Sequence, residues 1–258
     1  DDIKLNMERW RWMPASFGKR YIAVNVPAFE LDAHDADGND LSMKVIVGGS
    51  YDDKETPIFG DSMQYLVFRP FWNVPPSIAE NEIVPEQRKN PNYLASKNYQ
   101  IVSSFGPNAE PMAVTAANIN AVARGDLLIR QAGGPNNALG LVKFIFPNDM
   151  AIYLHSTAAT QLFDKTERDL SHGCVRVENP VALATFALNG DPEWSRADID
   201  RAMHSGGRKR VDLPASIPVY MLYWTAFVED DTVNFRADLY DQDDKLDNAL
   251  KDKSAVSL

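Results

Sequence analysis

The chain has 258 residues, of which 45% are hydrophobic and 24% charged, enough for a globular core in one large domain or two small ones. Its formal net charge of −10 argues against a nucleic-acid or anionic-lipid surface, because phosphate groups are bound by basic side chains. No apolar run reaches the roughly 18 residues of a membrane span, and Asp1-Asp2-Ile3 does not read as a charged-then-apolar leader.

In chain order, residues 6–14 read as a short helix capped by Asn6 and ended by Pro14. Trp10 and Trp12 lie two apart and cannot share a helical face, so at least one is expected to pin the segment to the body. From Arg20 the pattern alternates, and strands are predicted over 21–27, 29–33, 41–47 and 64–69, with a turn at 35–40. Closely spaced strands joined by Gly/Asp turns predict an antiparallel β-sandwich or barrel. There is no βαβ rhythm and no GxGxxG, which argues against a dinucleotide site.

After Phe71 the character shifts. Trp72-Asn73-Val74-Pro75-Pro76-Ser77 is a proline turn into a short helix that Ser77 could cap. Pro85, Asn90-Pro91-Asn92, Gly106-Pro107 and Pro111 make the region to about Arg130 read as loop-rich with small helical pieces. It also holds Trp72, Tyr93, Tyr99 and Phe105, too much aromatic content for a disordered tether. It reads as an ordered insertion, placed like a lid over a site.

Strand character returns at 127–131. Residues 142–147 and 151–155 look like a hairpin through Asn148-Asp149, with His155 at a strand end. Asn179-Pro180 starts a helix over 181–188 that Asn189-Gly190 stops. A second helix is expected over 198–204. Residues 218–228 read as a long, central apolar strand with 233–235 as an edge partner. Asp230, Asp231, Asp238, Asp241, Asp243, Asp244, Asp247 and Asp252 read as a solvated acidic tail.

The chemistry gathers between His155 and Arg176. This stretch holds the only cysteine, Cys174, and two of the four histidines, His155 and His172. A lone thiol cannot form an internal disulfide, and in an oxidising compartment it reads as reactive. Cys174 would be the nucleophile and His155 the base that takes its proton, the imidazole being oriented by the Ser156 carbonyl. The N–H groups of Gly173 and Cys174 are candidates for an oxyanion hole. Two other readings stand beside this one. A lone cysteine is often a small buried hydrophobe. His155, His172 and Cys174 could also ligate Zn²⁺, though that needs a fourth ligand such as Asp164 or Asp169, and His-x-Cys spacing is uncommon.

Ser171-His172-Gly173-Cys174-Val175-Arg176 with the upstream His155 resembles the signature of the L,D-transpeptidases of bacterial peptidoglycan, the YkuD-type fold. Residues 6–14, 73–78, Gly134-Pro135-Asn136-Asn137-Ala138-Leu139-Gly140 with Lys143-Phe144, and 220–226 resemble the large Gram-negative YcbB-type subgroup, so the likeness covers nearly the whole chain. It implies a mostly β, α+β fold: a YkuD-type β-sandwich formed by 1–72 and 131–258, with a helical and loop capping subdomain inserted at 73–130. It implies Cys174 as the acylated nucleophile, His155 as general base with Ser156, and His172 and Gly173 as shapers of the oxyanion hole. Arg176, with Tyr153, Ser171 and Trp72, would contact substrate. No cofactor and no metal are expected.

The partners so implied are peptidoglycan stem peptides, carbapenem-type β-lactams acylating Cys174 and, with a different acceptor, an outer-membrane lipoprotein lysine. The implied setting is the periplasm of a Gram-negative bacterium. Many family members carry His-Gly where this chain has His155-Ser156. A peptidoglycan-binding module often precedes the large subgroup's catalytic domain, and none is visible in these residues.

Overall fold

The computed structural model describes residues 1–51, 54–106, 108–229 and 231–252. Pro107 and Asp230 of the sequence reading lie outside them. Strands β1 (Arg20–Asn25), β2 (Glu30–Asp35), β3 (Leu41–Ile46) and β4 (Phe59–Phe68) form where apolar and polar residues alternate. Alternate positions Ile22, Val24, Leu31, Ala33, Met43 and Val45 are buried in one core.

The chain then makes a separate three-stranded sheet from β5 (Trp72–Asn73), β6 (Tyr99–Val102) and β7 (Leu128–Gln131), in the order β5-β7-β6. It returns to the main sheet with β8 (Val142–Ile145), β9 (Leu154–His155), β10 (Val175–Val177) and β11 (Lys209–Leu222). The main strands hydrogen-bond in a closed ring, β1-β11-β4-β8-β9-β10-β3-β2.

Two features of this ring depart from the expected antiparallel sheet. The pairs β1/β11 and β9/β10 are parallel. A parallel neighbour cannot be reached by a tight turn and needs a crossover of about a dozen residues or more. Residues 156–174 supply it for β9/β10. The expected hairpin between β8 and β9 exists, but its loop is longer than an Asn-Asp turn. The Asn148 side chain organises that loop, donating to the Phe146 and Ile152 carbonyls (2.7 and 2.8 Å) and accepting from the Met150 and Ile152 N–H groups (3.1 Å each). Ala151 there sits at φ +55°, a left-handed conformation that a residue with a Cβ adopts reluctantly.

The long apolar strand also divides. β11 ends at Leu222, and β12 (Ala226–Glu229) leaves to pair with β13 (Thr232–Phe235). The N-terminal helix α1 (Asp2–Arg11) holds the break. Asn6 is not its cap; it lies buried within the helix, accepts from the Thr225 N–H (3.0 Å) and donates to the Thr225 hydroxyl (2.8 Å). Trp10 stacks on Trp224 with ring centroids 4.5 Å apart, whereas Trp12 is exposed.

The insertion is more ordered than its prolines suggest. Helices α2 (Pro76–Ile78) and α3 (Val84–Lys89) are joined through a π-helical turn at Ala79–Ile83. Pro85 has no N–H to donate and would crowd the carbonyl a turn back; the wider turn before it, with the Val84 N–H on the Ala79 carbonyl, absorbs the mismatch. Ser77 makes no cap, because Pro75 occupies that position. With α4 (Tyr93–Ser96) and α5 (Ala116–Ala123), the sheet encloses its own apolar core of Val74, Ile83, Val84, Leu94, Ile101 and Ile129.

Helix α6 (Pro180–Ala187) starts at Asn179 as expected, its side chain accepting from the Ala182 N–H. Helix α7 (Arg196–His204) starts earlier than expected because Ser195 and Asp198 form a capping box. The acidic tail is not simply solvated. It folds into α8 (Gln242–Lys251), and Asp243 pairs with the buried Arg9 and accepts from the Thr225 hydroxyl (2.8 Å).

The Asn6–Thr225 contact makes a direct test. Asn6→Ala leaves the buried Thr225 N–H without its acceptor, and is expected to lower unfolding free energy by about 2–3 kcal/mol. Urea denaturation should show this as a lower midpoint at unchanged slope. An unchanged midpoint would mean that α1 does not hold the β11/β12 break.

Candidate active site

The site is built on the parallel pair β9/β10. Val175 is in register with Leu154 and Arg176 with His155, and the Val175 N–H donates to the Tyr153 carbonyl (3.2 Å). Val175 and Leu154 are fully buried in the core. Residues on either side of them along each strand therefore point to the opposite face. That face carries His155 of β9 and Arg176 of β10, with Tyr153 and Cys174 immediately before the two strands. On the other side of β9, Lys143 of β8 is in register with His155. The pairing alone thus gathers a thiol, an imidazole, a phenol and two cations.

The Cys174 loop is fixed by local bonds. The Ser171 hydroxyl donates to the Cys174 carbonyl (2.6 Å) and accepts from the Gly173 N–H (3.1 Å). Gly173 sits at φ +108°, which favours glycine, and its carbonyl accepts from the Thr56 hydroxyl (2.7 Å). Thr56 in turn accepts from the Gly48 N–H (2.9 Å), so this loop is tied to the strand end after β3.

His155 is buried, with Nδ1 2.5 Å from the Ser156 carbonyl oxygen. A carbonyl only accepts, so this contact puts the proton on Nδ1 and leaves Nε2 with a free lone pair. Ser156 is held from behind by Gly140, where an added Cβ would lie 2.5 Å from the Ser156 hydroxyl oxygen and 2.6 Å from the Thr157 nitrogen. Gly140 also has φ +62°, so both close approach and backbone conformation call for glycine there.

The electrostatics favour a resting neutral pair. Burial, with the Arg176 and Lys143 charges, pushes His155 down to about 3 against the pull of the Ser156 and Leu139 carbonyls. Burial pushes the Cys174 thiol up, while hydrogen bonds from Tyr153 and the Lys143 and Arg176 charges pull it back. The Tyr153 phenol is itself pushed up, mainly by burial and then by its interaction with Cys174. The thiol is also 3.6 Å from the Ala151 carbonyl, a weak contact of the strained loop.

Residues 19–194 match the YkuD family, described as the L,D-transpeptidase catalytic domain. The chain belongs to the YkuD family. It is also 30% identical over 247 residues, 96% of its length, to a Haemophilus influenzae protein named "Putative L,D-transpeptidase". It spans about half of that relative, 49% of its length.

Within this YkuD domain the sequence-chosen residues separate into three groups. Cys174, His155, Tyr153 and Arg176 share one face, and Ser156 contacts His155. Gly173 and Ser171 are joined to each other within the cysteine loop. The Gly173 N–H donates to the Ser171 hydroxyl, and the buried Ser171 hydroxyl donates to the Cys174 carbonyl, so the two residues brace the loop around the sulfur. Of the two amides considered, only that of Cys174 lacks an acceptor among the described residues.

His172 and Trp72 belong with the insertion. His172 Nε2 is 3.0 Å from a Glu82 carboxylate oxygen, linking the cysteine loop to the π-helical turn. Trp72 packs on the insertion core beside Tyr99, at 6.2 Å between rings. Among the described residues, no group of three or more His, Cys, Asp or Glu side chains is arranged to hold a metal ion. The sequence reading gave no role to Lys143, Gly140 or Thr56; Gly140 and Lys143 entered it only through the family likeness of 134–140 with Lys143-Phe144.

His155 gives the site a stability signature. Its folded-state pKa of about 3 lies below the ordinary 6.5, so the unfolded chain takes up a proton first as pH falls. Stability from neutral burial is present above pH 6.5 and is lost as pH drops toward 3. At pH 5 the loss from this residue is about 2 kcal/mol. His155→Gln is expected to remove that part of the decline between pH 7.5 and pH 5, measured by denaturation at each pH. A parent-minus-variant difference that does not change with pH would contradict a neutral, buried imidazole.

Proposed function

We propose that this chain is a peptidoglycan L,D-transpeptidase that forms 3→3 cross-links through an acyl-cysteine intermediate. The observation that carries this is the shared face of Cys174 and His155, with His155 Nδ1 fixed on the Ser156 carbonyl. His155 Nε2 takes the thiol proton as the Cys174 sulfur attacks the carbonyl of the third residue of a tetrapeptide donor stem. The C–N bond to the terminal D-alanine breaks, its nitrogen receives that proton, and a thioester remains. The amine of a neighbouring stem then attacks the thioester, forms the cross-link and returns the thiol.

The developing oxyanion would face the free Cys174 N–H, with the Tyr153 hydroxyl as the neighbouring donor. The insertion is proposed to act as a cap over this site. Its own core and the Glu82–His172 contact support that role, and with the spread of the sequence likeness they favour the large YcbB-type subgroup. The same reading places the protein in the periplasm of a Gram-negative bacterium and makes carbapenems acylating ligands of Cys174.

The test uses defined tetrapeptide muropeptides, with product masses read for the parent and for Cys174→Ala side by side. The parent should give a cross-linked dimer lighter by one D-alanine and a water-free acyl adduct on Cys174. The variant should lose at least about 1,000-fold in rate, as removal of a covalent nucleophile does. Tripeptide without dimer at every acceptor concentration would replace cross-linking by L,D-carboxypeptidase activity. Turnover retained in Cys174→Ala would overturn the mechanism.

A further inference from the structure

Lys143, His155 and Arg176 stand in register across three adjacent strands, β8, β9 and β10. Two cations therefore flank the imidazole, on the same face as the Cys174 sulfur. Both are half-buried. Neither has a carboxylate or hydrogen-bonding partner among the described residues. The Lys143 ammonium lies over the face of the Tyr153 ring, 5.3 Å from its centroid.

The rest of the chain treats such cations differently. It has 36 acidic residues. Buried Arg9 is paired with Asp243, and buried Arg168 donates to the Val45, Lys165 and Phe29 carbonyls at 3.1, 2.8 and 3.1 Å. Around Lys143 the nearby charge is of the same sign: Arg208 and Lys143 repel. His155 and Tyr153 are neutral at ordinary pH and compensate nothing. Leaving cations half-buried and unpaired is unfavourable unless an anion arrives to meet them.

We propose that Lys143 and Arg176 form a receptor for the terminal carboxylate of the residue that leaves the donor stem. This inference rests on the reading of the chain as a stem-peptide acyltransferase. The carboxylate nearest the reacting carbonyl is that of the departing D-alanine, one residue of about 3.5 Å beyond it. A receptor beside the sulfur thus selects a donor with one residue past the scissile bond. A stem one residue longer would carry its carboxylate beyond the pair, and an amidated end would offer no charge. Lys143 acts here by positioning and charge; no bond to it forms or breaks.

The lone cysteine allows a test that does not need turnover. Iodoacetate and iodoacetamide alkylate Cys174 with similar shape but different charge, and the ratio of their rates cancels the thiolate fraction. Lys143→Met and Arg176→Met are each expected to lower the iodoacetate-to-iodoacetamide ratio about tenfold, while Lys143→Arg keeps it within about twofold of the parent. In the unaltered protein, acetate should slow alkylation by iodoacetamide and acetamide should not, a reading independent of whether any variant folds.

A ratio unchanged within about twofold in both Met variants, or equal protection by acetate and acetamide, would overturn the receptor. A parent that shows the charge preference but turns over no stem peptide would sink the transpeptidase reading and leave the receptor standing. With active parent, a C-terminally amidated tetrapeptide should have a raised KM that Lys143→Met does not raise further. A free-acid donor whose KM is indifferent to Lys143→Met would also overturn the proposal.

Discussion

The contact between His155 Nδ1 and the Ser156 carbonyl decides what the site can do. An imidazole free to rotate or to change tautomer offers the sulfur a donor as often as an acceptor. One held by a backbone carbonyl offers Nε2 as an acceptor only. The structure builds this contact from several directions. β9 ends at His155, Gly140 closes on Ser156, and burial excludes the water that would compete for the ring. The parallel pairing of β9 and β10 then sets Cys174 and His155 on one face. Their separation in sequence is the length of the crossover such a pairing demands.

This arrangement differs from a thiolate–imidazolium pair formed in advance. Burial disfavours charge on both partners, so the resting state is thiol and neutral imidazole. Lys143, Arg176 and the Tyr153 hydroxyl all favour negative charge on sulfur, which develops as the proton leaves. In the proposed reaction the cations are thus useful only when an anion is present, whether that anion is the Cys174 sulfur or an incoming carboxylate. The insertion meets the cysteine loop through Glu82 and His172, and its π-helical turn before Pro85 is the element that presents Glu82.

Cys174 and His155 could be singled out in the sequence because the chain has one cysteine and few histidines, and the His155–Ser156 carbonyl contact because the two are neighbours in sequence. The barrel-or-sandwich class followed from alternation, which reports burial on one face. What was not legible was non-local. No local pattern shows that β9 and β10 run parallel, so Lys143, related to Cys174 only through strand register, was named for its likeness to the family and given no role. The Ser171 hydroxyl on the Gly173 amide was also not foreseen, although a Ser two residues before an amide is a known competitor for backbone groups. β7 was read as a strand, but the sheet it forms was not, because β5 and β6 are two and four residues long and far apart in sequence. Asn6 looked like a cap and is instead a tertiary hydrogen-bonding residue, since a buried Thr225 backbone offered it a better partner.

The claim on which the account turns is the state of one imidazole. Nitrogen-15 NMR of the intact protein, with His155 assigned by comparison with His155→Gln, reads both the tautomer and its titration. The account predicts a neutral ring protonated on Nδ1 at pH 7 that stays neutral on lowering the pH to 4.5. An imidazolium at neutral pH, a ring protonated on Nε2, or titration near 6.5 would contradict it.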